Sequence, residues 1–349
     1  MNEVPNIRKK TEKFSTDPFY APEIFQEIKE LWAQHKKEGD PDLEFKIFFG
    51  SHINDLDFAP ITEELGGADV YIPEAAGWSQ RQEEKIMLLS GGVIHPETLI
   101  NEIKHYDPDF AKSTSYTFFL AQMKAIYRSG KPIIFIDVPR DHPIENALRK
   151  TPGTFFRAMD STKDLATKIE AYKNFAKGYV ELVKARDNFM IAMLPQRLRE
   201  LLDRRPDLKK KSRLKVLISL GAMHSQIYPK LKDLGQDTAR EFQTYPFVFG
   251  LSDEVPRRLQ MGQDMDSISP DLILKAVLES EMLRYFEKSL KWMSQEKSSQ
   301  EVYVKMRKII EKLNARDIEE IYNKFGKGQK FRDVVLDICK QKGIDTRGF

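Results

Sequence analysis

Several things are scarce in this sequence. One cysteine, Cys339, occurs among 349 residues. That excludes an intrachain disulfide, a cysteine-rich zinc module and an iron–sulfur cluster held within one chain. Histidine occurs six times, at His35, His52, His95, His105, His142 and His224, so any metal would have to use these and carboxylates. Long apolar runs are missing: residues 133–136 and 216–220 are strand-length, against the roughly 20 residues needed to cross a bilayer. The N-terminus (MNEVPNIRKKTEKFST) has no apolar segment of the kind a secretory signal carries. No fixed-period repeat is visible, and no GxxxxGK[ST], HExxH, GxSxG or GxGxxG motif occurs. Gly66-Gly67 and Gly91-Gly92 read as helix-terminating glycines.

Charge of either sign is not in excess. Lys and Arg number 56 against 53 Asp and Glu, a net charge of +3, which gives no whole-molecule argument for nucleic acid or an anionic membrane as partner. Hydrophobic residues make up 41% and aromatics 11%, enough for a sizeable core, so global disorder is excluded. The expectation is a soluble cytoplasmic protein with one large domain or two smaller ones.

Residues 1–20 are polar and expected to be a flexible N-terminus. Residues 21–37 read as a helix with Ile24, Ile28, Leu31 and Trp32 on one face. Four continuous apolar runs follow: 45–49 (FKIFF), 69–72 (DVYI), 132–136 (PIIFI) and 214–220 (LKVLISL). Continuous rather than alternating runs are what strands buried on both faces of a parallel sheet require. Helical stretches separate them at 61–65, 80–90, 96–105 and 114–129. Strand–helix alternation predicts an α/β fold, a mostly parallel central sheet flanked by helices. A long helix is expected over 160–194, with an apolar stripe through Leu165, Ile169, Tyr172, Ala176, Tyr179, Val183, Met190 and Met193, and with Pro195 ending it. Residues 197–215 hold nine Lys or Arg against three acids; lacking an aromatic to stack on bases, they read as a solvated helix end and loop. Another strand is expected at 242–249, and helices from 269 to Cys339 at 272–292, 302–313, 318–325 and 331–339. The organisation predicted is an α/β domain over 21–260 and a helical extension over 261–349, with a separate small domain as the alternative.

Ligands of open α/β sheets bind at the carboxyl ends of the strands. Four apolar runs end at His52, Glu74, Asp137 and His224. If the runs are parallel and adjacent, these side chains rim one crevice. His52 and His224 each follow a strand and a glycine, which favours a functional pair over two turn residues. Arg186 falls on the apolar stripe of the long helix and is driven inward; a buried guanidinium needs an acceptor, and Glu74 or Asp137 is the natural partner. Asp187 and Asn188 are placed on the helix flank. In the segment 137–143 (DVPRDHP), Asp141 is expected to cap the helix that Pro143 opens. His142 is a weaker third ligand candidate, and His35, His95 and His105 read as surface residues.

The ordered set Gly50-Ser51-His52, Glu74, Arg186-Asp187-Asn188-Phe189-Met190 and Gly221-Ala222-Met223-His224 resembles the TraB/PrgY, Tiki, erythromycin-esterase and ChaN-like superfamily over about residues 45–230. Its first motif has one residue between glycine and histidine where the family usually has two. The resemblance implies an α/β fold with a polar site of His52, Glu74, Arg186 and His224. It implies a hydrolase of ester or peptide bonds acting on a small-molecule or peptide substrate, either with His52 or His224 as general base or with a divalent metal held by His52, Glu74 and His224. The alternative it implies is non-catalytic binding of haem or a signalling peptide.

Overall fold

The computed structural model describes residues 24–106, 115–160, 164–286 and 296–349, with Ser289, Leu290 and Met293. The expected N-terminal segment 1–20 lies outside the described residues, as do 21–23, Thr114, 161–163, 287–288 and 291–292 from the helices expected around them.

Four strands form the sheet: β1 (Asp42–Gly50), β2 (Val70–Pro73), β3 (Arg213–Gly221) and β4 (Asp237–Phe242). Their order is β2-β3-β1-β4 and every pairing is parallel. The run 132–136 lies along the outer edge of β2. Tyr71 N donates to Pro132 O (3.0 Å) and Ile134 N to Tyr71 O (3.1 Å), but only one bridge forms, at Ile133, because Pro132 has no N–H to extend the ladder. The strand expected at 242–249 is displaced: the chain enters the sheet earlier, as β4, and leaves it at Phe242. The segment DTAREF is polar because an edge strand needs no apolar run. Phe242, Phe247 and Phe249 instead pack together at its end, one pair tilted and the other edge to face, with ring centroids 4.9 and 5.2 Å apart.

The helices are α1 (Ile24–His35), α2 (Ala59–Leu65), α3 (Gln80–Ser90), α4 (Pro96–Tyr106), α5 (Tyr116–Ile126), α6 (Pro143–Asp160), α7 (Leu165–Arg204), α8 (Pro206–Lys209), α9 (Ile227–Asp233), α10 (Leu251–Gln260), α11 (Pro270–Tyr285), α12 (Ser299–Glu311), α13 (Ala315–Gly326) and α14 (Phe331–Gln341). One sheet face buries Phe45, Ile47, Ile218 and Leu220 against α1, α7 and α9. The other buries Phe48, Tyr71 and Leu217 against α2, α3 and α5. Burying each such side chain contributes about 1.5–3 kcal/mol. A third core joins the C-terminal helices to Phe155 and Met159 of α6 and to Tyr172 and Ala176 at the start of α7. The long helix therefore belongs to the helical core at its first half and to the sheet core at its second, through Met190, Leu194 and Leu198. Lys168 and Glu281, both buried, pair at 2.9 Å and tie α7 to α11. No helix among the described residues is long and apolar enough to cross a membrane.

Pro195 does not end α7; the helix runs nine residues further, to Arg204. A proline inside a helix leaves the carbonyl four residues earlier without its N–H partner. That carbonyl belongs to Ile191, and the indole N–H of Trp32 on α1 donates to it at 3.0 Å. Several of the basic residues beyond are engaged in ion pairs, Arg199 with Asp40 (2.7 Å), Arg205 with Asp207 (2.7 Å), Lys211 with Asp69 (2.5 Å) and Arg213 with Glu44 (3.2 Å).

The connection from β1 runs to β2 and that from β3 to β4, in opposite directions from adjacent strands. This opens a crevice between the paired residues Gly50 and Gly221, the usual place for a ligand in such a sheet.

Candidate functional site

The ends of β1, β2 and β3 and of the edge run 132–136 deliver their polar residues to that crevice. Glu74 follows β2 and folds over Gly221, whose N–H donates to Glu74 Oε2 at 2.5 Å. A Cβ on Gly221 would stand 3.2 Å from that same oxygen, so the absent side chain makes room for the carboxylate. His52 Nδ1 lies 3.6 Å from Glu74 Oε2, and His224 Nε2 lies 3.6 Å from Glu74 Oε1. Arg186 reaches in from α7. Its Nη2 donates to Glu74 Oε1 at 2.8 Å, and its Nε and Nη2 grip Asp137 at 2.8 and 2.6 Å. Asp137 also accepts from the backbone N–H groups of Ala75 (3.1 Å) and Val138 (2.8 Å). Both partners expected for Arg186 are thus used at once, and a fork between two carboxylates is a task lysine could not perform.

His52 sits in the left-handed backbone region, φ 54°. This conformation costs a non-glycine residue about 1–2 kcal/mol, and such strain concentrates at functional positions. The ring stacks on Phe118, with centroids 4.4 Å apart. The loop that carries it is held from the helical side: Asn54 Nδ2 donates to Lys297 O at 2.5 Å, and Ser299 Oγ donates to Asp57.

The expected place of Asp187 is the helix flank. It is instead fully buried, and its Oδ1 stands 2.5 Å from His224 Nδ1. Asn188 is buried as well and accepts from Lys230 at 2.6 Å. The available signal was three consecutive polar residues, 186–188, inside a stretch that is otherwise apolar. His142 rather than Asp141 serves the start of α6, its Nδ1 accepting from Ile144 N at 3.3 Å, and its ring meets Phe189. His95 and His105 are exposed; His35 bonds back to Leu31 O on its own helix.

The charges set one another's protonation. Burial and the Arg186 guanidinium push His224 down, but Asp187 and Glu74 outweigh them and raise it to about 9. Burial pushes His52 below its ordinary value, with Glu74 opposing and His224 and Arg186 adding to the fall. Burial raises Glu74, yet Arg186, His224 and His52 together hold it well below the usual carboxylate range. Tyr179, expected only as an apolar stripe residue, faces the same charges; burial and then Asp253 push its phenol up to about 12. At neutral pH the crevice therefore holds a protonated His224, a neutral His52, an ionised Glu74 and a guanidinium.

No protein-family model, no curated protein and no solved structure matches this chain.

A divalent metal on His52, Glu74 and His224 does not fit this arrangement. Both Glu74 oxygens already accept N–H donors, and a guanidinium stands at 2.8 Å from one of them. Among the described residues, no three His, Cys, Asp or Glu side chains converge so as to hold a metal ion.

Proposed function

We propose that this chain is a hydrolase that splits an acyl bond, ester or peptide, of a small-molecule or peptide substrate by acid–base catalysis, with no metal step. The observation that carries the reading is that two histidines flank one carboxylate and are driven in opposite directions, His224 to about 9 and His52 downward. Titratable groups whose surroundings push them apart supply an acid and a base at the same pH.

In this reading His52, neutral, takes a proton from water as the water oxygen attacks the acyl carbon. His224, protonated and oriented by Asp187 through Nδ1, delivers a proton from Nε2 to the leaving oxygen or nitrogen as the acyl bond breaks. Exchange with solvent resets both rings. Arg186 is a positioning residue here, since its donors are committed to Glu74 and Asp137. The resemblance of the four motifs to the erythromycin-esterase-like group supports ester cleavage. The single cysteine, Cys339, is buried as a free thiol, which fits the cytoplasmic setting proposed with this reading.

The test is turnover of a panel of alkyl esters, lactones and short peptides by the wild type, His52→Gln and His224→Gln. Each variant is expected to lose about 10²–10⁴-fold in kcat/KM. Equal turnover by all three proteins contradicts the reading.

A further inference from the structure

Acyl hydrolysis needs a donor for the acyl oxygen and an anchor for the water, and the four residues above supply neither. Gln243 follows β4 and lies beside Gly50, at the carboxyl end of β1. Its backbone N–H donates to Phe49 O at 2.9 Å, which pins it beside the last residues of β1. The residue is 7% exposed, yet neither Nε2 nor Oε1 has a hydrogen-bond partner. The amide lies directly over Gly50: a Cβ there would fall 1.4 Å from Gln243 Oε1. Glycine at the end of β1 is therefore what admits the amide to the crevice floor, two residues before His52. The Nε2 of His52 is also buried and has no side-chain partner, while its Nδ1 faces Glu74.

A buried primary amide with both ends unpaired is costly, and natural proteins rarely keep one without a use. Either orientation of the amide offers one donor and one acceptor. We propose that Gln243 is a catalytic residue of the hydrolysis, its Nε2–H donating to the acyl oxygen and its Oε1 accepting from the attacking water. The water's second hydrogen then points to His52 Nε2. As the water oxygen bonds to the acyl carbon, its proton passes to His52, and the carbonyl electron pair moves onto the oxygen held by Gln243. Collapse of that oxyanion breaks the bond to the leaving atom, which takes its proton from His224. This rests on the hydrolase reading.

The experiment compares the full-length wild type with Gln243→Met, which keeps length and removes both polar ends. An amide that waits for a ligand contributes nothing to the free fold, so the thermal midpoint of Gln243→Met is expected to be unchanged or higher. A lowered midpoint overturns the proposal by making Gln243 a structural residue. On an ester that the wild type cleaves, kcat is expected to fall about 10²–10³-fold with little change in KM; an unchanged kcat overturns it. Gln243→Glu, which keeps the shape and loses the donor, is expected to show the same loss. If the wild type cleaves no ester, the hydrolase reading fails separately, and Gln243 is read by binding. Ethyl methylphosphonate, a stable tetrahedral anion, is expected to raise the thermal midpoint of the wild type but not of Gln243→Met. An equal shift in both, or none in either, overturns the proposal.

Discussion

The Nδ1 of His224 stands 2.5 Å from Asp187 Oδ1, and this contact, with Glu74, holds the proton on His224. Its consequence for stability has a definite sign. The folded value of His224, about 9, lies above its ordinary 6.5, so its contribution is full below 6.5 and fades as pH rises through about 9. Asp187→Asn is therefore expected to lower the thermal midpoint relative to wild type more at about pH 6 than at about pH 9.5. A gap that is the same at both pH values contradicts this account of the pair.

Arg186 is the counter-charge for two carboxylates, Glu74 and Asp137. Arg186→Leu leaves both without it and is expected to cost about 3–5 kcal/mol in urea unfolding. Arg186→Lys keeps the charge but loses the fork, and is expected to fall between that variant and wild type. Because Glu74 is held well below the ordinary 4.5, its contribution is present above that value and disappears as pH falls through its lowered value. The stability gap between wild type and Arg186→Leu should shrink on acidification.

The left-handed backbone at His52 yields a prediction that separates strain from chemistry. His52→Gly and His52→Ala both remove the imidazole and should both be inactive. Glycine accepts the positive φ and alanine does not, so the glycine variant is expected to be the more stable by about 1–2 kcal/mol. Equal midpoints in chemical denaturation would show that the loop relaxes and stores no strain.

The hydrogen bond between Trp32 and the Ile191 carbonyl replaces the one that Pro195 cannot make. Trp32→Phe is expected to cost about 1–3 kcal/mol by leaving that carbonyl unpaired, beyond the change in packing. In a Pro195→Ala background the helix supplies its own N–H, and the same Trp32→Phe change should cost less. A double-mutant cycle by urea unfolding with no coupling between the two positions would refute the compensation.

How much of this was legible in the sequence follows from what each residue answers to. The strand ends at His52, Glu74 and His224 were readable because buried parallel strands are continuous apolar runs that stop abruptly. Arg186 was readable because it interrupts an apolar stripe, and its partners because a buried cation needs anions. Asp187 was misplaced, since helix phase assigns a face but not which neighbouring strand end covers it. The end of α7 was misplaced at Pro195 because the rescue comes from Trp32, on a helix far away in sequence. β4 was misplaced because an edge strand carries no apolar run, while the nearby aromatics imitate one. Gln243 gave no signal at all: an unpaired buried amide is visible only once Gly50 and Gln243 are brought together.

The central claim, that His52 is the base and His224 the acid, is tested most directly by the pH dependence of kcat/KM on a substrate ester. The account predicts a bell, with an acid limb below about pH 6.5 from His52 and an alkaline limb near pH 9 from His224. In Asp187→Asn the alkaline limb should move toward neutral pH while the acid limb stays within about half a unit. A profile with a single limb, or an alkaline limb that Asp187→Asn leaves in place, would contradict the account.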